Sequence, residues 1–433
     1  QILTGENPGF PGESTKATQL TQFSERLNRV YRKVDKRILP FVALTYLLCY
    51  LDRSNIGNAK VLNSDTSDDL MHSIGMTDQQ YRIALMLFLV AYSIFEAPSN
   101  LAMKIFSPPV WLGFLVISFG CLCAGIGGSK NVSTLMALRF LLGAAEAGTF
   151  PGMIFYLSFW YGPRERAIRI AIFLCSATLA GAFGGAIAYG VGHMNQVGGL
   201  NAWRWLFILE GLPCILLAVA IFFFLPSYPE KAKWLTDEEK EILRSSFGEN
   251  IPRGEDKLSW QDGKETLKNP RLWLHYFTYL CMGIGVSSLS LFAPTIVEGI
   301  GYTGLSAQLF TIPPYACAYL VSPPPSLHLR YAMLVLCTCS VFGSLPSLCA
   351  WVSDNVRTTT AGSIASGLNV AFSGPGQIIG VWIYESQQAP RYQLGHAVNA
   401  VSQFVGMVLA LGLWLHYRKL NSRLRPGETR WIA

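Results

Sequence analysis

The stretch Tyr46-Leu47-Leu48-Cys49-Tyr50-Leu51-Asp52-Arg53-Ser54-Asn55-Ile56-Gly57-Asn58-Ala59-Lys60 puts two adjacent charges near the end of an apolar run that begins at Ile38. A charged side chain inside a bilayer costs at least ~2.5–3.5 kcal/mol. Asp52 and Arg53 are therefore either a self-neutralising pair or part of a site. The chain around them calls for the same solvent: it is 51% hydrophobic and 14% charged, where soluble domains carry about 25% charged residues. Apolar runs recur at 38–58, 81–104, 109–129, 132–157, 166–192, 203–226, 271–294, 329–352, 358–384 and 394–417. Each is long enough to cross ~30 Å of hydrocarbon as a helix. The expected class is an all-α polytopic membrane protein whose surroundings are the lipid bilayer.

The charges orient the spans. The segments before 38, at 164–169, at 227–271 and after 417 hold 24 of the 34 Lys and Arg residues. The positive-inside rule then places both termini and the central loop in the cytoplasm. It also accounts for the net charge of +7 without nucleic acid. The first 37 residues are polar and hold no cleavable leader pattern; the chain begins at Gln1, so an upstream segment is expected. The ten cysteines lie mostly within spans and read as small apolar residues.

The expected domains are a cytoplasmic tail (1–37), a six-helix bundle (38–226), a cytoplasmic loop (227–270), a second bundle (271–417) and a tail (418–433). Within the loop, Thr236-Asp237-Glu238-Glu239 predicts a capping box opening a short helix, Asp237 to about Phe247, that tethers the two bundles. The bundles echo each other: Phe150-Pro151-Gly152 with Ser158-Phe159-Trp160 precedes a basic loop, and Leu345-Pro346-Ser347 with Ala350-Trp351 precedes Arg357. Two related halves around a cytoplasmic linker suit a transporter.

These motifs carry a resemblance. Leu51–Ala59, Glu96-Ala97-Pro98-Ser99-Asn100-Leu101, Arg139–Gly143 with Glu146–Gly152, Trp203–Gly211 and Ala389–Asn399 are similar to the major facilitator superfamily, in its fungal anion:cation symporter branch of allantoate, nicotinate, pantothenate and biotin permeases. The resemblance implies two helical bundles, proton-coupled transport, protonation at Asp52 and Glu146, and contact between the helix 1 arginine and a substrate carboxylate. Two departures stand out. The usual loop motif between helices 2 and 3 is reduced to Asn100–Lys104, and the end of helix 8 with helix 9 is expected to be missing around 321–329. The short run at 305–321 would then be re-entrant.

Depth at ~1.5 Å per residue sorts the buried charges into an outer tier of Asp52, Arg53 and Arg139 and an inner tier of Glu96 and Glu146. Asp52 and Arg53 read either as a neutral pair shared with Arg139 or as a proton acceptor whose titration releases an arginine to an anion. Arg139 either balances Asp52 or offers a bidentate fork to a carboxylate. Glu146 reads as an unpaired carboxylate, either proton-binding or a neutral packing residue. Glu96, beside Pro98, reads as structural, hydrogen-bonding groups freed by a kink. Tyr50, Asn55, Tyr279 and Asn369 are candidate substrate contacts, with Gln377 behind them.

No phosphate loop, metal-ligand spacing or nucleophile elbow is present, so no enzyme activity, metal or cofactor is expected. The expected function is proton-coupled symport of a small organic anion by a monomer in the plasma membrane. The alternative is a non-transporting sensor or degenerate relative of the same fold.

Overall fold

A bilayer leaves the backbone no hydrogen-bond partner but itself, so the apolar runs fold as helices. The computed structural model describes residues 11–63, 66–247, 260–299, 348–356, 358–383, 393–424 and 431. The helices are α1 (Pro11–Val61), α2 (Leu70–Ile74), α3 (Asp78–Phe106), α4 (Pro108–Gly127), α5 (Val132–Glu146), α6 (Thr149–Leu157), α7 (Pro163–Gly192), α8 (Ala202–Phe224), α9 (Asp237–Ser245), α10 (Trp260–Lys268), α11 (Pro270–Gly299), α12 (348–354), α13 (Thr359–Ala371), α14 (Ser373–Trp382) and α15 (Gln393–Asn421). No strand occurs among the described residues. The fold is a two-bundle, all-α membrane architecture. The expected gap at 321–329, the short run at 305–321 and most of the expected span 329–352 lie outside the described residues, as do Arg357 and Arg391.

Among the described residues, five helices or helix pairs have the length and apolarity of membrane spans: α3, α4, α5 with α6, α8 and α15. Their outer faces are apolar and exposed, with Phe223 at 79% and Leu216 at 72% on α8 and Val401 and Phe404 on α15. An exposed apolar belt of this kind is made for lipid. The chain is an integral membrane protein. α1 is as long but dilutes its apolar residues with Asp52, Arg53 and Lys60.

Three local features differ from the sequence expectation. First, α1 is one helix of 51 residues that runs through Pro40 without a break, so the polar segment from 11 to 37 is helical and continuous with the first span. Second, the expected span 132–157 is two helices, parted at Ala147-Gly148 directly after Glu146. The close approach of α3 explains the small residues here: a Cβ on Gly143 would lie 2.3 Å from the Phe88 carbonyl oxygen, and one on Gly148 would lie 1.8 Å from Ser99 Oγ. Third, the expected span 358–384 is parted at Phe372 into α13 and α14.

At α9 the capping box forms as expected: Thr236 Oγ1 accepts from the Glu239 N–H (3.2 Å), and Glu239 Oε2 accepts from the Thr236 N–H (3.1 Å). α9 is tied to α1, through Arg26–Glu238 (3.1 Å) and Lys33–Glu239. The Lys33 ammonium and the Thr236 N–H together hold the Glu239 carboxyl below its usual range.

The halves meet at the end of the bundle that carries this linker. Asn100 Nδ2 donates to the Ser363 carbonyl (2.7 Å), and Ser363 Oγ donates to the Asn100 carbonyl (3.0 Å). Lys104 Nζ reaches Thr360 Oγ1 (2.7 Å). Arg166 and Asp354 form an ion pair whose side chains are only 7% and 8% exposed. Burial pushes the Asp354 carboxyl up, with Arg166 opposing it.

Candidate functional site

Arg53 stands at the centre of the site. Its Nε donates to Glu146 Oε1 at 2.8 Å, joining α1 to the last residue of α5. Its guanidinium lies over the rings of Tyr92 (4.3 Å) and Phe88 (5.5 Å) on α3. The Arg53 side chain is 24% exposed and Glu146 only 3%, so the arginine faces a space that its partner does not reach.

That space is a cavity between the halves, of about 500 Å³ including its open part. The first half lines it with Tyr46, Tyr50, Arg53, Tyr92 and Phe150; the second contributes Tyr279, Gly283, Val286, Val370, Ser373 and Gln377. Tyr46 is fixed against Phe150 and Phe173, each with ring centroids 5.2 Å away. Tyr279 Oη and Cys349 Sγ are 3.2 Å apart. Among the lining residues described, Arg53 is the one with an ionised side chain at neutral pH. A site with one cation, several rings and a few neutral polar groups suits an anion with an apolar body.

A second cluster is sealed inside the first half. Cys123 Sγ donates towards Asp52 Oδ1 (3.1 Å) and the Phe207 carbonyl (3.4 Å). Asp52, Cys123 and Glu210 bring one ligand-type atom each within 4.8 Å of one another. Asp52 is 2% exposed and Glu210 6%; Asp52 Oδ2 and both Glu210 oxygens have no hydrogen-bond partner among the described residues. Arg139, 1% exposed and packed with its guanidinium 5.4 Å from the Phe207 ring, is the cation that acts on Glu210.

These positions revise the pairing expected from sequence. Arg53 pairs with Glu146 and not with Asp52, and among the described residues no ion pair joins Asp52 to Arg139. Glu146 is therefore not the unpaired carboxylate expected. The two-tier sorting fails at this point because the Arg53 and Glu146 side chains reach towards each other and meet between the tiers. Glu96 is not the kink-capping group expected: it is fully buried and neither oxygen has a hydrogen-bond partner among the described residues, while α3 runs unbroken past Pro98.

Of the other candidates, Tyr50 and Tyr279 line the cavity, and so does Gln377. Asn55 is buried away from it and accepts from Asn58 Nδ2 (2.9 Å). Asn369 is buried beside Val370, which does line it. Sequence reasoning missed Tyr92, Phe150 and Ser373 in the cavity and Glu210 in the sealed cluster. Glu210 could have been found as a lone carboxylate inside an apolar run; the aromatic residues read as ordinary packing.

Residues 42–413 match the family model of the Major Facilitator Superfamily. The "MFS transporter prlL" of a fungal species (strain NRRL 50135) is 45% identical over 428 residues, covering 90% of this chain and 86% of that one. A "Putative tartrate transporter" of Agrobacterium vitis is 35% identical over 288 residues, covering 66% of this chain and 62% of that one. Among solved structures, the proton:xylose symporter XylE aligns with a TM-score of 0.62 at 13% identity, over 88% of this chain and 96% of that one.

Proposed function

This chain belongs to the major facilitator superfamily of membrane transporters, and from that premise we propose that it is a proton-coupled symporter of a small organic anion. The observation that carries the proposal is the Arg53–Glu146 ion pair, with the arginine facing the cavity and the carboxylate sealed behind it. Protonating Glu146 removes the charge that holds Arg53, and the freed guanidinium then takes a substrate carboxylate in a charge-assisted pair. Proton and anion are thus bound together, and the halves rock around them. Asp52 is the second proton-binding group. Tyr50, Tyr279 and Gln377 position the body of the substrate, Arg139 balances the sealed carboxylates, and Asn55 and Asn369 hold the helices that flank the cavity. A relative named for tartrate supports a carboxylate as the recognised group. On this reading the protein acts as a monomer in the plasma membrane, and its basic segments orient both termini to the cytoplasm by the positive-inside rule.

The test is uptake by the full chain in proteoliposomes under an inward proton gradient, with labelled nicotinate, pantothenate, allantoate and tartrate. At least one anion is expected to accumulate above equilibrium and to leak back when a protonophore collapses the gradient. Uptake that only equilibrates, whatever the gradient, would overturn the coupling.

A further inference from the structure

The Arg53–Glu146 pair leaves Glu96 without a role. Glu96 lies on α3 one turn from the cavity residue Tyr92 and one turn from Asn100, which bonds the second half. The surface on which it lies is the interface between halves, and the interface is tight. A Cβ on Gly367 of α13 would sit 3.0 Å from Ala97 Cα, and one on Gly374 of α14 would fall 1.5 Å from Ser93 Oγ. Glu96 is 0% exposed there, with both oxygens unpartnered among the described residues.

Among the described residues the charged and titratable groups that face it are few. Arg53 on α1 is the cation within its reach, and Glu146 already holds that arginine. The others are Tyr92 on its own helix, Tyr279 on α11 and Cys349 on α12. α13 and α14 meet α3 through neutral residues, Ser363, Gly367 and Gly374 among them. Lys104, two turns further along α3, is engaged with Thr360.

We propose that Glu96 is a proton-binding residue that couples protonation to contact between the two halves at the linker end. An ionised carboxylate without hydrogen bonds in a fully buried, close-packed interface is strongly disfavoured, so the halves close there on the neutral acid. When they part, water reaches Glu96, the proton leaves and the carboxylate resists reclosure. This rests on the proton-coupled reading above and adds to it a group that responds to closure and not to substrate. Asp354 acts in the opposite sense, because protonating it removes the Arg166–Asp354 pair and loosens the same end.

Two measurements on the full chain test it. In a Lys104→Cys/Thr360→Cys background, a short bifunctional thiol reagent reports closure as the fraction of chains whose halves stay joined after cleavage at a site engineered into the 227–270 segment. Cross-linking is expected to rise on acidification as the buried carboxyl takes up its proton, and Glu96→Gln, with the Arg166–Asp354 pair left to act alone, is expected to lose that rise. Glu96→Asp keeps the pH response. In proteoliposomes Glu96→Gln is expected to lose gradient-driven accumulation while counterflow remains measurable. Cross-linking that changes with pH identically in wild type and Glu96→Gln would overturn the proposal, as would wild-type accumulation by Glu96→Gln. If Glu96→Gln does not fold, a flat wild-type cross-linking profile overturns it, and a profile that Glu96→Asp shifts along the pH axis supports it. If the wild type shows no proton coupling, the reading of the Arg53–Glu146 pair fails, while the cross-linking comparison still decides the role of Glu96.

Discussion

The two halves of the molecule divide the chemistry unequally. The first half buries Asp52, Glu96, Arg139, Glu146 and Glu210, and turns Arg53 into the cavity. Among the described residues the second half buries no Asp, Glu, Lys or Arg apart from Asp354 in its pair with Arg166 at the seam; otherwise it offers His275, Asn369 and a series of serines and threonines. To the cavity it gives Tyr279, Ser373 and Gln377. The difference teaches that the buried charge is gathered in one bundle while the other shapes the space with neutral groups; on the proposed reading the first carries the charge exchange and the second closes the site. Around the cavity and the sealed cluster, Asp52, Glu96, Glu146 and Glu210 stand against Arg53 and Arg139, more acids than cations. A low-dielectric interior penalises unpaired charge, and the proposed proton coupling draws on this surplus of acids.

The division can be broken at Arg53. Arg53→Ala leaves Glu146 buried without its partner and the cavity without its cation, and should lower kcat/KM for anion uptake by more than ~100-fold, the scale of a truncated buried pair. Gln377→Ala in the second half should cost only ~3–10-fold, as one neutral hydrogen bond would, and should leave the pH profile in place. Equal losses would erase the distinction between the halves. Asp52→Asn sharpens it: gradient-driven accumulation is expected to fall to the level seen with protonophore while exchange of labelled for unlabelled anion continues. Equal loss of both would make Asp52 a structural residue.

The seam between the halves is the next place to press. Arg166→Ala leaves Asp354 buried and unpaired, a change worth about 3–5 kcal/mol in other buried pairs, and should lower the melting temperature clearly. The double variant Arg166→Ala/Asp354→Ala should recover most of the loss. The smallest effect belongs to α9. Glu239 titrates lower in the folded chain than its usual value, so its stabilisation is present above the ordinary carboxylate range and disappears as pH falls through the lowered value. With Lys33 53% exposed the effect should stay under ~1 kcal/mol. Hydrogen exchange of α9, corrected for intrinsic rate, should quicken on acidification in wild type and hardly change in Glu239→Gln.

Much of this was legible in the sequence because an intramembrane charge stands out against its background. Asp52, Arg53, Arg139 and Glu146 were found for that reason, and the Thr236–Glu239 box because its chemistry is local. The partner of Arg53 was not legible, since it lies 93 residues away and depends on how far a side chain reaches across packed helices. The break at Ala147-Gly148 was hidden inside an apolar run. The helix before residue 38 carries an apolar stripe at Leu27, Val30, Val34 and Ile38 that its many charges obscured; the last three are buried, and the helix is further held by contacts to α9 and by Asp35, which binds Arg169 (2.8 Å) and Tyr161 (2.7 Å). The aromatic lining of the cavity was invisible because a tyrosine on a bundle helix looks the same whether it faces a ligand or a neighbour.

The unbroken length of α1 gives the molecule a built-in pointer. Arg26 and Arg53 lie on one helix, 27 residues apart and so ~40 Å along its axis. A rotation of about 10° about the site end displaces the far end by about 7 Å over that length. A spin label or fluorophore placed near Arg26, well outside the lipid-facing belt, would therefore magnify sub-nanometre rearrangements at Arg53 into distances that spectroscopy reads easily, without a probe ever entering the cavity.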